Sequence, residues 1–220
     1  MALPSRRTPL IAAMCVWPLA VAASDVPNEP VSASGWTFRV LLDGQPIGEH
    51  RFRLSGTREA ERTLVSEAQF TVRWLGIALY RYQHRAVERW RGDCLAALSA
   101  DTDDNGTRTQ VSGQAQDAQF DVTAPAPQSA RGCVMSFAYW HPALRTQQRL
   151  LNPQTGRIEP VRITLLGETP LEQGTRSVLA TGWRIHGPAQ PIDVWYSAQG
   201  DWIGLDTRVD GGRVLRYRRP

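Results

Sequence analysis

The stretch WTFRVLLDGQPIGEHRFRL, residues 36–54, decides the fold class. Two alternating runs flank Asp43-Gly44-Gln45-Pro46. An Asp-Gly pair in that place is a hairpin signal, because Gly44 takes the positive φ of a tight turn without steric cost. In the second run Gly48, His50, Phe52 and Leu54 fall on one side and Ile47, Glu49, Arg51 and Arg53 on the other. A period of two sets an apolar face against a wet one, which is the patterning of an antiparallel strand.

Working outward, strands are expected at Arg62–Trp74, 77–90, 94–100, 107–112 and 119–123, each bounded by Gly, Asp or Asn. The stretch LYRYQHRAVERW, 79–90, alternates large and charged residues as a long strand with one solvated face does. Residues 124–132 carry Pro125 and Pro127 and are expected to be a loop outside any ladder. A short helical segment is expected within 136–148, with Pro142 in its first turn and Arg145 and Arg149 towards its end. Strands then resume at 149–151, 158–166, 177–186, 192–197, 202–209 and Val214–Arg218, with turns at 152–156 and at Asp210-Gly211-Gly212. The fold class is all-β: an antiparallel meander curved into a barrel or half-barrel, which hides the edges a flat sheet would expose, with one short helical segment near Pro142. No internal repeat of fixed period argues for a solenoid or propeller.

The N-terminus sets the expected compartment. Arg6 and Arg7 precede an apolar run, 10–19, and small residues at 20–23, the three parts of a secretory signal peptide. The expected organisation is a signal peptide at 1–23, a polar spacer at 24–35 and a single β-rich domain at 36–218 that works in the periplasm or is secreted. The apolar run is broken by Pro18 and falls short of the roughly 20 residues a spanning helix needs, so no stable membrane insertion is expected. Cys15 lacks the small preceding residue that lipoprotein processing wants. Beyond the leader two cysteines remain, Cys94 and Cys133, and an oxidising compartment favours one disulfide between them.

All basic residues among the 220 are arginine, which excludes Schiff-base lysines and the P-loop lysine. The net charge of +4 includes Arg6 and Arg7, so the remainder carries +2. The arginines alternate with acids and apolars instead of forming a block, and give little support to a nucleic-acid or anionic-membrane footprint.

The hairpin at 36–54, the central YWHPALRTQQRLLNPQTGRIEPV and the closing IDVWYSAQGDWIGLDTRVDGGRVLRYR together resemble a family of secreted bacterial β-rich domains of unknown function. The resemblance spans Trp36 to Arg218, and its middle segment is the most specific. The layout is more distantly similar to other periplasmic β-rich domains and to the incomplete barrels of lipoprotein carriers. It implies location and fold and brings no catalytic residues.

Asp101-Thr102-Asp103-Asp104-Asn105-Gly106 matches the first half of a calcium loop, but position twelve is Ser112 rather than a bidentate glutamate. A polar Asn-Gly hairpin turn explains each residue without metal, and neither metal nor cofactor is expected. No GxSxG elbow occurs, and His50 and His84 read as strand-surface residues. His141 differs, because Tyr139-Trp140-His141-Pro142 interrupts the sheet where side chains cap a core or line a barrel mouth. Seven of the eight tryptophans lie beyond the leader and supply either a packed interior or an aromatic lining for an apolar ligand. The candidate lining is Trp74, Tyr80, Tyr82, Tyr139, Trp140, His141, Trp195 and Trp202. The favoured function is non-enzymatic binding of an apolar small molecule or lipid. The alternatives are a packed structural or protein-interaction module and, third, a hydrolase built on His141 and an acid from another strand.

Overall fold

The computed structural model describes residues 34–220; the expected signal peptide and nearly all of the spacer lie outside the described residues. Fifteen strands follow in chain order among the described residues: β1 Ser34–Leu42, β2 Gln45–Gly56, β3 Arg62–Trp74, β4 Ile77–Arg91, β5 Cys94–Asp104, β6 Thr107–Gln116, β7 Gln119–Ala124, β8 Gln128–Arg131, β9 Arg149–Leu151, β10 Ile158–Pro160, β11 Arg162–Gln173, β12 Arg176–His186, β13 Ile192–Tyr196, β14 Trp202–Arg208 and β15 Val214–Arg218. Thirteen form one antiparallel sheet in the order β11-β12-β13-β14-β15-β1-β2-β3-β4-β5-β6-β7-β8, while β9 and β10 pair separately. Every neighbour in the large sheet is sequential except one, where the last strand pairs with the first through Arg39 opposite Arg218 and Val40 opposite Tyr217.

The ends of the sheet, β8 and β11, are not hydrogen-bonded to each other, so the curve stops at a half-barrel. Residues 132–161 run between those two edges and fill the concave face. Val134, Met135, Ala138, Leu144, Leu150 and Leu151 from this insert are buried in one cluster with Phe38, Phe52, Trp90, Leu98, Phe120 and Trp202 of the sheet. The disulfide between Cys94 and Cys133 fastens the start of the insert to the start of β5, and Leu95 N donates to Val134 O beside it. The expected helical segment is a 3₁₀ turn, Pro142–Thr146.

The outer face is wet by pattern. Arg51, Glu67, Arg85 and Asp101 stand opposite one another across β2, β3, β4 and β5, alternating in sign. Opposite charges directly across an antiparallel pair are favourable, which explains why the arginines are dispersed along the chain.

Three expectations are corrected. Residues 128–131 pair with β7, because the two prolines of the expected loop lie before them and every N–H of Gln128–Arg131 remains available. The strand expected at 158–166 divides at Val161, whose N–H turns to Gln148 O, and its second part runs on as β11 to Gln173. His84 is buried and His50 half-buried rather than on the strand surface.

Candidate functional site

The candidate site lies on the concave face, where β2, β3, β4 and β5 present inward side chains in register. One row across the strands is His50, Ala68, His84 and Thr102; the next is Phe52, Ser66, Ala86 and Ala100; the third is Leu54, Leu64, Glu88 and Leu98. Small side chains at Ser66 and Ala86 leave the middle of this face low, while Phe137, Tyr139 and Trp140 of the insert close over it. The result is a cavity of about 140 Å³, also bordered by Asn152, Pro153, Gln154, Pro188 and Ile192.

Its polar wall is internally bonded. His50 Nε2 and Ser66 Oγ share a hydrogen bond at 2.7 Å, and His50 Nδ1 lies 3.3 Å from the Tyr217 hydroxyl. His84 Nδ1 meets Thr102 Oγ1 at 2.9 Å, and the two imidazoles are edge to face with centroids 6.5 Å apart. Burial disfavours the imidazolium, holding His84 at a pKa of about 4 against the pull of Asp101, and His50 well below the ordinary range with the neighbouring His84 adding to the shift. Both rings are therefore neutral near pH 7. Glu88 Oε2 accepts from the Trp90 indole at 3.0 Å. Burial raises its pKa to about 7, with hydrogen bonding from Ser136 and Trp90 opposing the shift.

The residues expected to line a ligand site are distributed among several places. Tyr139 and Trp140 line the cavity. Tyr82 stacks on Phe70 deeper in the core, at 5.2 Å and 13°, and Tyr80 packs at the margin of the same core. Trp202 is fully buried against Phe38, and its indole donates to Gly204 O, so it fills space. Trp195 packs on the other side of the sheet with Leu171, Ala180 and Ile203, crossing over Gly182, where an added Cβ would lie 2.4 Å from the indole. Trp74 is the last residue of β3, far along the hairpin from the cavity.

His141 is a fastening behind the cavity. Its Nδ1 accepts from Ala143 N at 3.1 Å, capping the 3₁₀ turn, while its Nε2 lies 3.2 Å from both Asp93 Oδ1 and Arg62 Nη2. Both ring nitrogens are engaged, and the imidazole is buried. Burial and the neighbouring Arg62 lower its pKa, against the pull of Asp93.

Sequence reasoning missed His50, Ser66, His84 and Glu88. The signal was parity: His84, Ala86 and Glu88 share the phase of Tyr82 and Trp90, and that phase points inward. Asp101 and Asp103 of the calcium-like run lie in β5, where Gln110 and Arg108 bond them and Gly106 N donates to Asp103 Oδ1.

An open antiparallel half-barrel closed over by its own central segment defines a β-barrel-like domain. Residues 38–220 match the model of the domain of unknown function DUF6134, and the chain belongs to that family. Among solved structures the chain is similar to a β-barrel-like protein of the domain of unknown function DUF1849 from Brucella abortus, with a TM-score of 0.60 and 9% identity over 86% of this chain and 95% of that one. That likeness is one of fold. No curated protein matches.

Proposed function

We propose that this domain is a non-enzymatic, extracytoplasmic binding domain that holds a small apolar or amphipathic molecule between its sheet and its insert. The observation that carries the reading is the cavity of about 140 Å³, whose aromatic side is formed by Phe52, Phe137, Tyr139 and Trp140 and whose polar side is His50, Ser66, His84 and Glu88. Its volume is close to the roughly 150 Å³ that admits a benzene-sized guest and below the roughly 300–1,000 Å³ of an ordinary small-molecule pocket. The fitting ligand is thus ring-sized, or is one end of a lipid, with a neutral polar group facing the imidazoles. A work site outside the cytoplasm accords with the leader-like N-terminus and with a disulfide.

Native mass spectrometry of the protein recovered from its own cells tests this. A bound mass is expected in the wild type and is lost in Ala86→Val, which fills the cavity while retaining the fold. Absence of any adduct, together with no thermal shift from ring-sized or fatty probes, overturns it.

One observation favours a second reading. Ser66 and His50 form the hydrogen-bonded pair that nucleophilic hydrolysis requires. Against it, Ser66 sits in mid-strand, paired with Phe52 and Ala86 on its two sides, and Tyr217 rather than a carboxylate meets the other ring nitrogen. Stoichiometric labelling of Ser66 by a fluorophosphonate would establish the hydrolase and displace the binding reading.

A further inference from the structure

The hairpin of β3 and β4 reaches beyond the rest of the sheet. Pairing of β2 with β3 ends at Gly48 opposite Phe70, and pairing of β4 with β5 ends at Tyr82 opposite Asp104. In the sheet ladder residues 71–81 are matched only with each other, Arg81 also bonding to Asn105 at the finger's base, and the hairpin projects about 15 Å at roughly 3.3 Å per residue.

Its tip is apolar where its counterparts are polar. Three hairpin turns share the same backbone: Asp43-Gly44 at φ 50° and 83°, Asn105-Gly106 at 52° and 93°, and Leu75-Gly76 at 48° and 81°. Asn and Asp tolerate this left-handed region and reward it with side-chain hydrogen bonds, whereas a γ-branched hydrocarbon gains nothing there. Asp43 accepts from Val214 N and Arg213, and Asn105 from Arg81 N. Leu75 is 79% exposed, Ile77 64% and Leu79 58%. The chain thus carries backbone strain and exposed hydrocarbon at one tip with no return inside the molecule.

We propose that this finger docks on an anionic lipid bilayer, with Leu75, Ile77 and Leu79 entering the headgroup boundary. The collar fits that occupant: exposed Arg73 and Arg81 flank the apolar tip, and the nearest acid in register, Asp104, stands one position farther back, opposite Tyr82. Cations placed just behind an apolar insert meet lipid phosphates when the insert lies about 5–10 Å deep. The dispersed arginines of the whole chain carry no such footprint; the exposed hydrocarbon between two of them does. The contact is peripheral adsorption by a strand hairpin and needs no spanning segment.

The test is flotation with vesicles of phosphatidylcholine alone or with about 30% phosphatidylglycerol, comparing chains that share the same N-terminus. Wild type floats with the anionic vesicles and is released by high salt, because exposed charge interactions are screened. Leu75→Asn/Ile77→Thr/Leu79→Thr lowers partitioning at least about tenfold, as expected for withdrawing three large apolar side chains. Its melting temperature holds or rises, because Asn suits the turn. Arg73→Gln/Arg81→Gln removes the preference for the anionic vesicles. The proposal is overturned if wild type floats with neither vesicle, if the triple variant floats as well as wild type, or if sedimentation velocity shows a tip-dependent dimer that vesicles do not dissolve.

Discussion

The His141 imidazole stacks on the Trp90 indole, with ring centroids 5.8 Å apart and 19° between the planes. Trp90 is wholly buried in β4, and His141 opens the 3₁₀ turn of the insert. The stack therefore fixes the insert's height above the sheet. His141→Ala removes the cap on Ala143, the close approach to Asp93 and the buried ring together, and is expected to cost about 2–4 kcal/mol. Denaturant unfolding checks it, and any activity or ligand content should survive in the folded fraction.

Trp140 meets Trp90 edge to face at 5.5 Å, lies beneath the Arg62 guanidinium at 4.9 Å and closes one side of the cavity. Trp140→Ala should cost about 3–5 kcal/mol, in the manner of other large aromatic truncations, and should also weaken ligand retention. Loss of less than about 1 kcal/mol would show that the indole is not part of the packed core.

Acid should destabilise the fold through its histidines. The folded pKa values of His50, His84 and His141 are lowered, so below about pH 6.5 the unfolded chain takes up these protons first, and stability falls as pH drops towards 4. Urea midpoints between pH 8 and 4.5 check the sign.

Glu88 acts in the opposite direction. Its folded pKa of about 7 exceeds the ordinary value of 4.5, so the stability linked to its proton is present below 4.5 and is lost as pH rises through 7. Glu88→Gln should stabilise by up to about 3 kcal/mol at pH 8 and hardly at all at pH 4.5. Equal effects at both values would show that the carboxylate is already ionised in the folded protein.

Removing the link between Cys94 and Cys133 frees both the insert and the start of β5. The double change to serine should cost about 2–4 kcal/mol, chiefly through the unfolded chain. Mapping of non-reduced peptides should recover the two cysteines in one linked species.

Much of this architecture was readable from local chemistry. Asp43-Gly44, Asn105-Gly106 and the alternation of Trp36 to Leu54 place hairpins because turn backbone and pleat parity are decided by neighbouring residues. The alternation of Arg62–Trp74 marks the limits that β3 has. The site was less legible. Charge at His84 and Glu88 suggests solvent, and only their shared phase with Tyr82 and Trp90 reveals the interior. That the insert covers them is a long-range fact: Phe137, Tyr139 and Trp140 lie some fifty or more residues from the strands they face, and no local pattern records the encounter.

The seam between β1 and β15 makes the last described strand a keystone. β15 lies between β14 and β1 near the middle of the sheet, so the last of the fifteen described strands to be made joins two arms that until then each present a raw edge. Loss of a terminal strand usually frays a margin; here, deletion of Val214–Arg218 would part the sheet into β1–β8 and β11–β14 and open the core under Phe38 and Trp202. A chain cut short before Val214 would hold two unjoined arms, and quality control would meet an aggregation-prone species rather than a slightly frayed domain.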